Sequence, residues 1–595
     1  MDRDDTLQAG STPSSAIEDG AGIEAFRALD RTRLALMAQA TGGLSPAALT
    51  LAFLDWWIHL STAPGKCMEL AWVAGRRASR FGAQLAASSI GRDPPPHIPA
   101  PPGDTRFSAE AWRSEPYSLW AQMFLLQQQW WHDLTHDVPG VAPHHEDVVA
   151  FTMHQLLDMV SPSNSPFTNP EVIDKTRESL GTNLIHGFQN WTEDVSRTAT
   201  GRPPVGTESY VVGRDVAITP GKVVFRNALI ELIQYAPATD TVAAEPILIV
   251  PAWIMKYYIL DLSPKNSMVR WLVGQGHTVF CISWRNPGPE DRDLAFDDYR
   301  RLGVMDALDA ISAILPGRKI HATGYCIGGT LLAIAAAAMA RIGDARLASV
   351  TLLAAQMDFS EPGELALFID HSQLHVLDSM MWNRGYLSAD QMAGAFQLLR
   401  TADLVWSRHI HDYLMGERSR INDLMAWNAD STRMPYRMHG EYLKRLYLDN
   451  ELAAGRFLVD GRPAVIRNIH APIFVVSTER DHVAPWHSVY KIHYLSDADV
   501  TFVLTSGGHN AGIVSEPDRP HRRYRIALKR PDDCCISPEE WVAATAPKAG
   551  SWWVDWAAWL DAHSAPERVA CPAMGAPSKG YAPLADAPGT YVHQR

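Results

Sequence analysis

Apolar and polar positions along the chain follow two textures that meet near residue 206. Residues 1–22 are polar, small and acidic, and predict a disordered tail. From 23 to 90 the apolar spacing is helical; Ser45-Pro46 reads as a cap followed by a first-turn proline, opening AALTLAFLDWWIHL. The proline-rich stretch 91–104, GRDPPPHIPAPPGD, predicts an extended linker. Residues 105–235 again predict a mainly helical domain, broken by the turn-rich SPSNSPFTNP from Ser161 to Pro170.

In the second texture, apolar runs of strand length alternate with helical patterns. EPILIVPAW (245–253), HTVFCISW (277–284), KIHATGY (319–325), LASVTLLAAQMDF (347–359), APIFVVSTERD (471–481) and DVTFVLTSGGHN (499–510) predict buried strands. Residues 296–315 and the alanine-rich 328–343 predict helices between them. Such alternation implies an α/β domain, placed at 236–565, with a mostly parallel sheet covered on both faces. Its long interruption, about 363–466, is rich in aromatic, methionine and leucine positions and predicts an inserted helical cap. In SWWVDWAAWL, Trp552, Trp556 and Trp559 share one helical face, a stripe suited to core packing. Residues 566–595 are expected to form a carboxyl-terminal tail.

Composition narrows the function. An apolar content of 46% and a charged content of 20% suit a globular chain, and the net charge of −13 argues against a nucleic-acid binder. The basic cluster Arg519, Arg522, Arg523, Arg525, Lys529 and Arg530 reads as a solvated face or as a site for substrate phosphates. Six cysteines without a Cys-x-x-Cys pair suggest neither zinc nor a redox motif, and His144-His145-Glu146 lacks the helical spacing of metal ligands. No metal and no cofactor are expected. The amino terminus has no secretory pattern, and LLAIAAAAMA is too short to span a bilayer, so the expected location is a reducing cytoplasm with no transmembrane segment.

The chemistry concentrates in HATGYCIGGT. Gly324-Tyr325-Cys326-Ile327-Gly328 follows a strand and opens a helix, the context of the nucleophile elbow of the α/β-hydrolase fold, with cysteine where serine is usual. Alone, that cysteine is also readable as a small buried residue, as Cys281 is within its apolar strand. The last strand, however, ends in SGGHNAG with His509, and the one before it in STERDHVAPW with Asp481, in the chain order nucleophile, acid, histidine. His509 would take the thiol proton and Asp481 would orient the imidazole. The N–H of Ile327 and one from the loop near Trp253 or Ile254 would form an oxyanion hole. Sulfur suits a thioester donor: exchange between thioesters is nearly balanced, and the enzyme thioester keeps the acyl group activated for transfer to a hydroxyl. A cysteine acyltransferase follows, with a lid-covered cysteine hydrolase as the alternative.

GYCIGGT, STERDHVAPW and SGGHNAG together resemble the polyhydroxyalkanoate synthases, also called poly-β-hydroxybutyrate polymerases. SPSNSPFTNPEV, PAWIMKYYILDLSPKNSMVRWLVGQGHTVFCISWRNPGPED, DFSEPGELALFID and NDLMAWNADSTRMPYRMHGEYLKRLYLDN extend the resemblance over almost the whole chain. It implies an α/β-hydrolase domain with an inserted helical cap behind a mainly helical amino-terminal domain. It also implies polymerisation of (R)-3-hydroxyacyl-CoA, short-chain substrates such as 3-hydroxybutyryl-CoA among them, with release of CoA. Under the resemblance Cys326 is the acylated nucleophile, His509 its base and Asp481 the acid, which also helps activate the attacking hydroxyl. His482 and Arg400 become candidate substrate contacts. The partners implied are the growing polyester chain, the granule surface and a second copy of the chain, as in single-subunit-type enzymes. Two departures stand out: Met255 replaces asparagine in the Trp-Ile-Asn-Lys pattern, and Asn510 replaces isoleucine after His509.

Overall fold

A computed structural model describes residues 14–89, 98–101, 103–392, 394 and 405–595. Residues 1–13 of the expected tail, most of the proline-rich linker and Arg400 lie outside the described residues.

The amino-terminal region is helical, as the spacing predicts. A helix already runs from Ser14 to Ala40, within the stretch read as tail, and is followed by helices Pro46–Ser61 and Pro64–Ser89. The Ser45 hydroxyl accepts the Ala48 N–H at 3.3 Å with Pro46 in the first turn, satisfying one of the donors a helix start leaves unpaired. Helices Tyr117–Thr135, Pro143–Met159, Pro170–Glu178 and Thr182–Ala199 follow. The turn cluster between the second and third of these is held by its own polar side chains: Asn169 accepts the N–H groups of Glu171 and Val172, and its amide donates to the Ser163 carbonyl at 2.8 Å.

The core is an eleven-stranded sheet. Six central strands are parallel, in the spatial order Val500–Thr505, Ile473–Thr478, Leu347–Leu353, Ile320–Tyr325, Ile247–Val250, Val279–Trp284. Five of them are buried along their whole length, which is why they read as mostly apolar runs rather than alternating ones. Antiparallel strands extend both edges: Arg523–Lys529 and Lys548–Ala549 on one, Ile230–Tyr235, Gly221–Arg226 and Ala585–Asp586 on the other.

The second edge moves the expected domain borders. Residues 221–235 belong to the sheet rather than to a helical domain, and the supposed tail 566–595 supplies a strand to it. The reason is visible in Ile230–Tyr235, where Glu231 and Gln234 interrupt the apolar pattern of a fully buried strand. Both are satisfied from the far end of the chain. Glu231 pairs with Arg226 and accepts the Thr590 and Tyr591 N–H groups, and Gln234 bonds Ala573 and Gly575. No local pattern announces partners so distant in sequence.

The cap fills the interval between Leu347–Leu353 and Ile473–Thr478. It includes helices His371–Trp382, Asp423–Asn428 and Tyr436–Tyr442, and a short ladder of Tyr386–Leu387 with Met434–Pro435. The amino-terminal helices hold it. Gln373 bonds the Ser45 N–H and the Gly43 carbonyl at 2.7 Å each, and Gly187 lies so close to Tyr413 that a Cβ there would overlap its carbonyl.

Within the sheet, near the amino-terminal end of strand Ile320–Tyr325, His321 is buried between the Ser349 and Ser564 hydroxyls at 2.7 and 3.0 Å. Burial pushes its pKa down to about 3, and burial likewise lowers His439 and His493 to about 4. Each is neutral when folded and takes a proton near pH 6.5 when unfolded. Their stabilisation is therefore complete above about pH 6.5 and is lost progressively as pH falls toward 4. Urea midpoints measured between pH 7 and 4 should fall with acidification, and His321→Gln should flatten that slope; an unchanged slope would contradict the assignment.

Candidate active site

Strand Ile320–Tyr325 delivers Cys326 to a turn with φ 53° and ψ −129°, and helix Ile327–Arg341 begins at the next residue. A non-glycine residue there stores about 1–3 kcal/mol of strain. Bonds from Cys326 N to Leu353 O and from Gly329 N to Cys326 O, both 2.8 Å, hold it. The flanking glycines are required by contact. A Cβ on Gly324 would stand 2.4 Å from Gly329 Cα, and one on Gly328 would stand 2.4 Å from the Val250 carbonyl oxygen. The elbow read from the sequence is thus built in the structure, with the half-buried thiol at the carboxyl ends of the parallel strands. Cys281 is fully buried in its strand, a core residue as expected.

His509 follows strand Val500–Thr505, and Asp481 follows Ile473–Thr478. His509 Nδ1 lies 2.8 Å from Asp481 Oδ2. The same carboxylate accepts the Val483 and Ala484 N–H groups through Oδ1 at 3.0 and 2.8 Å, and the Thr478 hydroxyl at 3.3 Å, so its orientation is fixed. Burial acts to lower the His509 pKa but is outweighed by the Asp481 charge and by the charge and side-chain interaction of Cys326, which together raise it well above the usual value. With Nδ1 committed to Asp481, Nε2 is the nitrogen left to serve Cys326. The first-turn N–H of Ile327 has no partner within its helix, and together with the positive helix end it suits a developing oxyanion.

The structure also brings together groups that sequence reasoning had not joined. Arg522, read only as one of a basic cluster, donates to the carbonyls of Ser506 and Ala511 at 2.9 and 2.5 Å, bracketing His509. Gly507, at φ 123°, leaves the space that guanidinium occupies. Of the tryptophan stripe, Trp552 and Trp556 are buried and Trp559 is half-buried against Phe474, so it packs the core. Trp552 and its neighbour Trp553 also donate their indole N–H groups to Gly512 and Ile513 and so brace this loop. From the cap, the buried Tyr442 and Tyr447 are joined hydroxyl to hydroxyl at 3.4 Å and lie within the field of Cys326. Asn510 accepts from the Tyr325 hydroxyl at 2.5 Å and donates to Asn428 of the cap, giving that departure a structural role. His482 is half-buried beside Asp481, with its carbonyl against Gly363 at the start of the cap, and Ile254 is half-buried under the cap. His145 pairs with Asp55 at 2.7 Å, while His144 faces Asp370. Among the described residues no group of histidine, cysteine and carboxylate side chains could hold a metal ion, and no helix is long and apolar enough to cross a membrane.

Residues 245–515 match the family described as alpha/beta hydrolase fold, which makes the chain an α/β-hydrolase-fold protein with Cys326 at its strand-to-helix elbow. Residues 103–272 match the poly-beta-hydroxybutyrate polymerase (PhaC) N-terminus, and 24–66 the poly-beta-hydroxybutyrate polymerase N terminal family. The chain is 39% identical over 536 residues to the poly(3-hydroxyalkanoate) polymerase of Methylorubrum extorquens, covering 89% of this chain and 87% of that protein. It is 34% identical over 562 residues to the poly(3-hydroxyalkanoate) polymerase subunit PhaC of Cupriavidus necator, covering 93% of each. The chain belongs to the poly(3-hydroxyalkanoate) polymerase family and is an enzyme of the acyltransferase type.

Proposed function

We propose that this enzyme polymerises (R)-3-hydroxyacyl-CoA, short-chain substrates such as 3-hydroxybutyryl-CoA in particular, through a covalent thioester on Cys326. The observation that carries the reading is the placement of Cys326, His509 and Asp481 at the carboxyl ends of parallel strands of one sheet, with the His509–Asp481 contact at 2.8 Å. His509 Nε2 takes the thiol proton as Sγ attacks the thioester carbonyl, and the N–H groups of Ile327 and Ile254 receive the oxyanion. The carbon–sulfur bond to CoA breaks, and CoA leaves with the proton from His509. The hydroxyl of the next acyl unit, or of the chain end, then gives its proton to the imidazole and attacks the Cys326 thioester, with Asp481 supporting the imidazolium. One ester bond forms and the free thiol returns. The cap excludes water from this second step. No cofactor is needed, since CoA arrives as part of the substrate. His482 and Arg400 are proposed to contact it. The enzyme is proposed to act in the cytoplasm as a homodimer on the surface of a polyester granule.

The test is incubation with (R)-3-hydroxybutyryl-CoA, following free thiol and the fate of the acyl group by chromatography. CoA release matched by polymer is expected. Release matched by monomeric hydroxyacid would instead identify a lid-covered cysteine hydrolase and overturn the polymerase reading.

A further inference from the structure

We infer that Thr432, a residue of the cap, is the positioning residue for the oxyanion-stabilising N–H of Ile254, an inference that rests on the cysteine acyl-transfer reading above. The loop after strand Ile247–Val250 is held from two sides. At its root, the Val250 and Pro251 carbonyls pack directly on Gly328, one residue beyond Ile327, and the Trp284 indole donates to the Pro251 carbonyl at 2.8 Å. Its outer part is tied to the cap. The buried Thr432 donates its hydroxyl to the Trp253 carbonyl at 2.5 Å and its N–H to the Ile254 carbonyl at 3.2 Å. Ser431 bridges Met255 in antiparallel fashion, and the Trp427 indole donates to the Lys256 carbonyl at 2.7 Å.

The geometry of the peptide unit turns this tether into an aiming device. The Trp253–Ile254 peptide is trans, and in a planar trans peptide the carbonyl and the N–H point in opposite directions. Fixing the Trp253 carbonyl on the cap hydroxyl therefore directs the Ile254 N–H away from the Thr432 hydroxyl, the side on which the oxyanion would form. The Trp253 ring, packed against Tyr299 and Trp284 at centroid distances of 4.5 and 5.5 Å, keeps the residue from rotating to compensate. Backbone contacts of this loop with Ser431 and Trp427 survive any change of the Thr432 side chain, so the hydroxyl governs that one peptide plane.

Thr432→Val keeps the shape of the side chain and removes the hydroxyl, whereas Thr432→Ser keeps the hydroxyl. Loss of one oxyanion donor costs about 100-fold or more in turnover. With CoA release from (R)-3-hydroxybutyryl-CoA as the readout, Thr432→Val is expected to lower kcat about 10- to 100-fold with KM changed less than about threefold. Thr432→Ser is expected to restore most of that kcat, and the pH profile should be unchanged because His509 and Asp481 are untouched. The inference is overturned if the valine variant turns over at the wild-type rate, or if its loss matches only the fraction unfolded by circular dichroism. A folded serine variant as slow as the valine one would overturn it too. The underlying reading fails separately: if Cys326→Ala releases CoA normally, the cysteine mechanism falls whatever Thr432 does, and the role given to Thr432 falls with it.

Discussion

Replacement of Cys326 by alanine is expected to abolish CoA release from (R)-3-hydroxybutyryl-CoA, a loss on the order of a millionfold in kcat, as when the nucleophile of a comparable triad is removed. The elbow itself should survive, because its fold rests on the Gly324, Gly328 and Gly329 contacts and on main-chain bonds at Cys326, none of which involves sulfur. Unchanged circular dichroism alongside absent activity is therefore the expected pair of results. Cys326→Ser is the more discriminating variant. An oxygen ester on residue 326 is more stable than a thioester, so the variant should release at most one CoA per chain and then stop. Intact-mass spectrometry should find a single acyl unit attached and chromatography no polymer. A serine variant that polymerised at the wild-type rate would show that sulfur is not chosen for thioester exchange.

Asp481→Asn should be nearly as damaging, lowering kcat about ten-thousandfold, because the amide imposes the wrong hydrogen-bond pattern on the histidine. In this enzyme Asp481 accepts four donors: His509 Nδ1, the Thr478 hydroxyl and two backbone N–H groups. With its nitrogen in the place of Oδ1 the amide would set N–H against the two backbone N–H groups. Turned the other way it would donate to His509 Nδ1 and leave the proton on Nε2, the nitrogen that must take the thiol proton. The electrostatic consequence has a definite sign. Burial alone would depress the His509 pKa, and the Asp481 charge is the foremost of the opposing effects. Removing it should therefore shift the His509 titration to lower pH. Alkylation of Cys326 by iodoacetamide across pH 5–9 is the direct measurement: the variant should react more slowly than wild type at neutral pH. Equal rates would mean that Asp481 does not act through His509.

The parallel strands were legible because burial on both faces keeps them mostly apolar, with only small polar residues and His321 among them. Cys326, Asp481 and His509 were legible because each sits where a strand ends and a glycine-bearing or capped turn begins, an arrangement that leaves a local imprint. The edge strand Ile230–Tyr235 left none, since Glu231 and Gln234 are paid for by groups beyond residue 570. Arg522 and Thr432 were illegible for a related reason. Both act on main-chain carbonyls, which every residue has, so no motif records the contact; only the folded chain brings Arg522 to Ser506 and Ala511, or Thr432 to Trp253. Residues proposed to act through their own side chains were thus readable, and those that hold the backbone were not.

The bonds from Trp552 and Trp553 to the carbonyls just after His509 have a spectroscopic consequence. Both indoles are buried, and each donates to a carbonyl of the loop that carries the imidazole. Their N–H resonances in nitrogen-edited NMR spectra, assigned by single Trp→Phe variants among the twenty tryptophans of the chain, are native probes of that loop. The proposed acylation of Cys326 and departure of CoA should then appear as displacements of two signals, without a dye or a label placed in the active site.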